Sequence, residues 1–574
     1  MVWTSLTDAI ADALAACGVA TAGREGIELA IPRDPTHGDW TTNVALALGA
    51  KLGQKPRALA GQIAQAFRSD PALFETPEVA GPGFLNFRYT PAFLADLPQR
   101  IRAAGDRFGS HDHAHGDRIQ VEYVSANPTG PLNVVNARAA AVGATLVRLL
   151  RATGHAAEGE FYVNDAGNQV DLLGASVAAR FAERIGAPRG LPENGYHGAY
   201  VRDVASELDL EAGRAALEAK EGASWFREQA LERMLAWQQR DLADYGAEFQ
   251  QWLRESSLHR AGKVDQALAE LEARGLTYRA VLPEVSAEPK GRPDAEAAGA
   301  GEATWLRTSR FGDDKDRVIV KGNGAPTYLL PDVAYHRDKR ARGFRRAIDL
   351  WGPDHHGRIV ALDSALKALG LEDDFLEVLI VQQVNLMSGG EPVKMSKRAG
   401  EFISLRDLME EVGADCAKFF FLMRGISTHL DFDLDLARQQ NDENPAYYVQ
   451  YAHARIASVL RYAAERGLVP ALGSPPPWEA AEERALVRKL ATFPEVVRGA
   501  AFAREPQRIP AYLMETAAEF HRFYHHCRVV TDDVPRSRAR LALCDAARIV
   551  MKNGLDLMGV TAPERMERTV ESAT

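Results

Sequence analysis

In the first twenty residues Leu6, Ile10 and Leu14 recur every fourth position, with Ala13 and Cys17 beside them and Gly18 just beyond. That is the pattern of an amphipathic helix and its stop. The turn-rich "IPRDPTHGDWTTN" and a second helical pattern, "PRALAGQIAQAF", follow; "VAGPGFLNFRYT" then alternates apolar and polar residues after a Gly-Pro-Gly turn and predicts a strand. Residues 1–107 thus read as a small α+β domain. From the β-rich "RIQVEYVSA" the chain passes through Asn127-Pro128-Thr129-Gly130-Pro131 into a helix with Val142, Leu146, Leu149 and Leu150 on one face and Gly154 at its end. "GEFYVND" supplies the next strand. Strand, turn, helix and strand within about fifty residues predict the opening of a parallel α/β sheet, whose ligands sit at the carboxyl ends of its strands.

This core occupies residues 108–190 in its first half. Residues 191–305 are richer in charged helix formers and end in "SAEPKGRPDAEAAGAGEA", the composition of a flexible connection, so they are expected to be an insertion. "RVIVKG", "RAIDLWG" and "LEVLIVQQVNLM" resume the sheet over residues 306–440. Residues 441–574 are helical apart from the linker "GSPPPWE" and predict an all-α terminal domain. The expected fold is therefore multidomain α/β: a parallel-sheet core with an insertion, a small N-terminal α+β domain and a helical C-terminal domain.

The length, 574 residues, exceeds what a single core sustains and agrees with several domains. Apolar residues at 46% and charged residues at 25% are ordinary for globular proteins, and no run of about 18 apolar residues offers a membrane span. The start carries Asp8 and Asp12 and lacks a basic segment before an apolar one, so a secretory signal is not expected. Cys17, Cys416, Cys527 and Cys544 form no C-x-x-C pair, which fits a reducing, cytoplasmic setting. The formal net charge is −10, but residues 451–574 hold 18 Lys+Arg against 15 Asp+Glu, a net +3 that is compatible with RNA contact or with a solvated helical face.

Two stretches carry candidate chemistry. The turn at 127–136 leads into a helix, and a helix N-terminus presents unpaired N–H groups that bind phosphate; Asn133 or Asn136 could also cap it. Taken alone, this is as consistent with an ordinary structural turn. "EPVKMSKRAGEFISL" places Lys394, Lys397 and Arg398 in a Ser/Gly-containing loop after an apolar strand, either a cationic arm able to meet a triphosphate or a plain basic surface loop. The adjacent His355-His356, and His521 with His525 near Cys527, lack the further ligands that zinc needs, so no protein-held metal is expected.

Lys-Met-Ser-Lys-Arg resembles the second signature of class I aminoacyl-tRNA synthetases, and the Asn-Pro-Thr-Gly-Pro-Leu turn sits where that class places its first, usually H-x-G-H. "YVNDAGNQ", "PENGYHGAY", "WLRTSRFGDDKDRV" and "PTYLLPDVAYHRDK" resemble the arginyl-tRNA synthetase family in particular. "HGDWTTN" with "GPGFLNF" is similar to its N-terminal tRNA-binding domain; "NPAYYVQYAHARI", "FHRFYHHCRV" and "LDLMGVTAPERM" are similar to its anticodon-binding domain.

The resemblance implies a Rossmann-like catalytic core and an arginine–tRNA ligase that forms arginyl-adenylate from L-arginine and ATP and transfers the arginyl group to tRNA(Arg), with tRNA required for activation. It implies that Pro131, Leu132, Asn133, Val134, Val135 and Asn136 lie beneath the nucleotide, with Lys394, Met395, Ser396, Lys397 and Arg398 above its phosphates. Glu122, Asn127, Tyr328, Asp332 and His355 match positions around the arginine. A guanidinium with five donors requires such carboxylates in pairs. Mg²⁺ is expected to enter with ATP, with no permanently bound cofactor, no membrane partner and a monomeric protein. The tetrapeptide Asn133-Val134-Val135-Asn136 departs from H-x-G-H: asparagine cannot become cationic, and Val135 fills space that glycine leaves open. That departure motivates one rival, a non-catalytic relative that keeps RNA or arginine binding without adenylation.

Overall fold

The computed structural model describes residues 2–19, 27–32, 34–112, 114–281, 301–393, 403–471 and 478–566. Five strands carry the central sheet: β1 (Arg118–Glu122), β2 (Ala156–Val163), β3 (Gln251–Arg254), β4 (Arg346–Trp351) and β5 (Leu376–Ile380). They pair in the order β5-β4-β1-β2-β3, every pair parallel. The chain winds outward from β1 through β2 to β3, then returns to β1's other side for β4 and β5. The switch between β1 and β4 leaves a crevice at their carboxyl ends.

"RIQVE" forms β1 because a strand flanked on both sides and covered on both faces needs apolar or internally paired residues throughout. Helix α1 (Val134–Ala152) packs Val142, Leu146, Leu149 and Leu150 into the core, as their spacing predicts. It lies so close to the segment after β1 that a Cβ added at Gly143 would stand 2.2 Å from Tyr123 Cγ. The Tyr123 ring has no room to yield: it stacks on Phe249 at 4.3 Å and its hydroxyl donates to the Glu248 carbonyl at 2.7 Å. Immediately beyond, Val124 (φ 70) and Ser125 (φ 37) turn the chain sharply off the strand end. A left-handed conformation is costly for a β-branched residue, so the surrounding packing must enforce it.

Between β2 and β3 the helices Asn168–Arg184, Ala199–Glu207, Leu210–Glu218 and Gly222–Asp244 build their own core around Phe181, Phe226 and Met234. The chain then returns to the sheet for β3, which lies within the 191–305 span expected to be a pure insertion. Four residues, "QWLR", mostly half-buried at a sheet edge, have too little apolar pattern to announce a strand. A three-stranded antiparallel sheet (Thr277–Val281, Glu302–Leu306, Arg317–Val320) precedes helix α2 (Leu329–Ala341). Most of the Pro/Gly/Ala stretch lies outside the described residues.

The N-terminal unit has Phe84–Phe87 as the central strand between Trp40–Thr42 and Glu78–Ala80, with Trp40 Nε1 donating to the Tyr89 hydroxyl at 2.7 Å. The C-terminal unit is helical throughout its described residues from Pro445, with α3 (Pro445–Ala464), α4 (Arg508–His526) and α5 (Val534–Met558) at its centre. The two ends of the chain meet. Helix Pro91–Ala104 lies on α5, Arg102 Nε donates to Asp545 at 2.8 Å, and Asn553 Nδ2 donates to the carbonyls of Gly105 and Phe108 at 3.0 and 2.9 Å. No described helix is long and apolar enough to cross a membrane.

Gly143→Ala should destabilise the protein by at least about 1–3 kcal/mol through overpacking against Tyr123. Denaturant melts measure this; an unchanged midpoint would show that the contact between α1 and Tyr123 is looser than described.

Candidate active site

Asp349, Glu122 and Glu160 stand at one level on β4, β1 and β2 as neighbours in register, and Gln251 of β3 continues the row. Residues in register on parallel strands share a face, and α2 covers this one. It brings Tyr335, His336, Lys339 and Arg342, spaced three and four apart and so on one side of a helix. Lys339, fully buried, places Nζ 2.8 Å from Glu122 Oε2 and 2.8 Å from Asp349 Oδ1. His336 Nε2 lies 2.8 Å from Asp349 Oδ2, and its Nδ1 lies 2.8 Å from the Asp332 carbonyl. The Tyr335 hydroxyl donates to Glu160 Oε1 at 2.7 Å, and Arg342 donates to Glu160 Oε2 at 2.5 Å and to Gln251 Oε1 at 2.9 Å.

Burial works against charge on Asp349, yet Lys339 and His336 outweigh it and hold the carboxyl below its ordinary range. For Glu122 burial prevails and lifts the carboxyl above that range, Lys339 opposing and Asp349 adding to the rise. Among the described residues, Glu122, His336 and Asp349 form the one group with metal-ligand spacing. The Lys339 ammonium bonds both carboxylates and lies 3.4 Å from His336 Nε2, so it already supplies the positive charge that a metal would bring.

At the carboxyl ends of the strands Glu122, Asp332 and Glu255 lie near enough to act on one phenol. Glu122 leaves the end of β1, its Oε1 accepting from Ser125 Oγ at 3.0 Å. Asp332 lies on the first turn of α2. Glu255 opens the short helix after β3, a helix pinned by Asp165, whose carboxylate accepts from Ser256 N at 2.8 Å and Ser256 Oγ at 2.7 Å. The Tyr162 phenol faces all three: burial, then Glu255, Asp332 and Glu122, push its hydroxyl far above the ordinary tyrosine range. Burial also lifts the Asp332 carboxyl to about 6, with Glu122 and Glu255 adding and with Arg358 and His336 opposing. Glu255 is raised by burial, against Tyr162 and His259.

The remaining arginine-site candidates ring this pocket. Arg358 donates to Asp332 Oδ2 at 2.6 Å and lies 3.4 Å from His355 Nδ1, which joins His355 to the pocket edge. Tyr328 precedes Asp332 by one helical turn and is 77% exposed, standing off the pocket. Asn127 is held on the insertion side, its Nδ2 donating to Gln169 Oε1 at 2.8 Å and its carbonyl accepting from Gln238 at 3.2 Å. Glu255, Lys339, His336, Asp349 and Tyr162 escaped the sequence reading. The one available signal was the polar stripe of "VAYHRDK" on a helix that a buried sheet face would otherwise require to be apolar.

The turn at 131–136 begins α1. Leu132 and Val134 are buried, and Asn133 and Asn136 form a capping box: Asn133 Oδ1 accepts from the Val135 and Asn136 amides at 3.0 and 3.1 Å, and Asn136 Oδ1 accepts from Asn133 N at 3.0 Å. Two of the amides expected to face phosphate are thus taken by the turn's own side chain. Val135 packs partly buried against the core. Asn133 bridges to Ser404, and Leu405 N donates to the Leu132 carbonyl at 2.7 Å, so the chain following the cationic loop is tied to this turn. Lys394, Met395, Ser396, Lys397 and Arg398 themselves lie outside the described residues. From α1 the buried Arg138 donates to the Gln382 and Gly425 carbonyls at 2.9 and 2.8 Å, fixing the strand that leads to the loop.

A second surface lies on the C-terminal helices. Arg455 of α3 donates to the Tyr451 hydroxyl at 2.6 Å and stands 5.1 Å from the Tyr451 ring and 5.3 Å from that of Tyr524 on α4. With Arg461 and Arg565 they line a cleft of about 390 Å³. Aromatic faces and guanidinium groups side by side are the usual platform for unstacked bases.

Three family models match the chain: Arginyl tRNA synthetase N terminal domain over residues 4–89, tRNA synthetases class I (R), catalytic domain over residues 100–419, and DALR anticodon binding domain over residues 449–566. The arginine–tRNA ligase of Anoxybacillus flavithermus is 43% identical over 566 residues, 98% of each chain. That of Geobacillus kaustophilus is 42% identical over 567 residues, again 98% of each. The arginyl-tRNA synthetase structure from Thermus thermophilus superposes with a TM-score of 0.77 over 99% of this chain and 100% of that one, at 23% identity.

Because the Asp332 carboxyl is raised in the fold, the folded state holds its proton more tightly than the unfolded chain does. Lowering the pH from 7 to 5 should therefore stabilise the protein more than its Asp332→Asn variant. Parallel melting profiles for the two would remove this group from the pocket's charge balance.

Proposed function

The chain belongs to the arginyl-tRNA synthetase family, and on that premise we propose how its residues divide the work of an arginine–tRNA ligase. The L-arginine carboxylate attacks the α-phosphate of ATP, pyrophosphate leaves, and the terminal adenosine hydroxyl of tRNA(Arg) then takes the arginyl group with release of AMP. The protein mainly orients reactants and balances charge. The reading rests on one observation above all: Glu122 at the end of β1, Asp332 on the first turn of α2 and Glu255 opening the helix after β3 all lie within electrostatic reach of Tyr162. Asp332 and Glu255 take the guanidinium, Glu122 and Asn127 define the rest of the pocket, His355 borders it, and Tyr328 folds down over bound substrate. A lysine would leave part of this buried acidity unpaired, which is the basis of selection.

ATP, carrying its Mg²⁺, lies on Pro131 to Asn136. Lys394, Lys397 and Arg398 act on its phosphates, with Met395 and Ser396 in the same arm; in support, Ser404, in the chain that follows this arm, is bridged to Asn133 of the turn. The amides capped within the turn leave more of the phosphate charge to these cations. The helical domain, through Tyr451, Arg455 and Tyr524, takes the anticodon loop, and the N-terminal unit contacts the body of the tRNA. The protein works as a cytoplasmic monomer; all four cysteines are free, as a reducing compartment requires. No finding favours a non-catalytic relative.

Arginine-dependent ATP–pyrophosphate exchange, with and without cognate tRNA, tests the reading, and its absence in both conditions would overturn it. In that assay Asp332→Asn and Glu255→Gln should each raise the Michaelis constant for arginine by about tenfold or more, given roughly 1.5–3 kcal/mol for a hydrogen bond to a charged group. Lys397→Ala should instead lower the turnover rate with little change in that constant, since its partner charge develops in the transition state. For tRNA, Arg455→Ala should weaken binding several-fold and reduce its salt dependence. Charging kinetics at two salt concentrations read this, and equal tRNA affinity at both would move the RNA contact elsewhere.

A further inference from the structure

Lys339 does not touch the pocket. Its side chain has no solvent exposure, and neither Lys339 nor Asp349 beneath it can reach a ligand; of the three linked groups Glu122 alone keeps a tenth of its side chain open. The ammonium donates to Glu122 and to Asp349 at 2.8 Å each and lies 4.2 Å from the centre of the Tyr335 ring. We propose that Lys339 is a positioning residue for the substrate: clamped between Glu122 and Asp349, it fixes the Glu122 carboxylate as a charged, immobile wall of the arginine pocket. The inference rests on the role given to Glu122 above.

The physical need follows from the register. Asp349, Glu122 and Glu160 are direct neighbours across three strands, and three buried carboxylates in a row cannot all stay ionised without internal cations. Arg342 and Tyr335 serve Glu160, and His336 serves Asp349. Among the described residues Glu122 takes hydrogen bonds from Lys339 and the Ser125 hydroxyl, with His336 further off. Without Lys339 a proton would settle on Glu122, leaving a neutral carboxyl with little attraction for either cationic end of arginine. An ammonium fits where a guanidinium would not, because it is compact and can direct separate protons at acceptors on different strands. The groups that act on Glu122 are Lys339, His336, Tyr335 and Asp332 from α2, Asp349 from β4 and Tyr162 from β2.

The test uses the full-length protein. Lys339→Met with Asp349→Asn removes the cation together with the carboxylate that it would leave unpaired. L-arginine binding by equilibrium dialysis between about pH 6.0 and 8.5 should weaken at least about tenfold at pH 7, more at lower pH, and recover towards pH 8.5 as Glu122 loses its proton. In pyrophosphate exchange the Michaelis constant for arginine should rise while that for ATP holds. A pH-independent loss, a matching loss for ATP, or unchanged affinity would each overturn the proposal. Should that pair melt below the assay temperature, a second cycle reads the same coupling: Lys339→Met added to Glu122→Gln should cost arginine binding less than about twofold beyond Glu122→Gln alone. A further tenfold loss there would show that Lys339 does not act through Glu122. Wild-type protein that binds no arginine would refute the assigned reaction rather than this coupling.

Discussion

Three carboxylates side by side on adjacent parallel strands would drive the sheet apart, or give up their charge, if α2 did not cover them with Lys339, His336, Tyr335 and Arg342. Removing one partner from such a buried pair is costed at about 3–5 kcal/mol. Placement of α2 thus answers to charge matching across β4, β1 and β2 as well as to the burial of Leu330, Val333 and Ala334. Asp332 and Tyr328 lie on or just before the same helix, so whatever seats the stripe on the row also seats the pocket. The strained Val124 and Ser125 belong to this arrangement, because Ser125 Oγ accepts from Tyr162 N at 3.1 Å while donating to Glu122.

The far ends of the chain are joined as firmly as the core. Arg102, Gly105 and Phe108 bond to α5, and Trp478 Nε1 donates to the Leu94 carbonyl at 3.0 Å, so the first unit is carried on the last rather than on the sheet. Two surfaces expected to meet one long RNA are thereby tied to each other by direct hydrogen bonds.

Much of this was legible in the sequence. β1, β2 and α1 carry apolar runs that mark a covered parallel strand and the inner face of its helix, and the all-helical end followed from the loss of strand patterns. The edge strand β3 was not legible, because four half-buried residues carry no periodicity. Within the site, the turn at 127–136 stood out as a helix start able to meet phosphate, whereas Glu122 and Asp332 stood out only through resemblance to a family. Glu255 had no local signal: a glutamate opening a short helix is ordinary, and its meaning comes from Asp165, ninety residues earlier, which pins that helix. Lys339 was hidden for the opposite reason, as a lysine within a charged helical string reads as solvated until the row beneath it is known.

Arg358 gives the carboxylate cluster a further property. It already places a guanidinium on Asp332, so on the proposed reading an arginine taken there exchanges places with a side chain of identical head group. The heat of that swap should be small, and the affinity it leaves is a difference between two like contacts. Among the described residues Glu255 has no guanidinium partner; the His259 ring lies 3.7 Å from it. On the proposed reading, the net attraction for substrate falls more on Glu255, whose partners Tyr162 and His259 are weaker than a guanidinium.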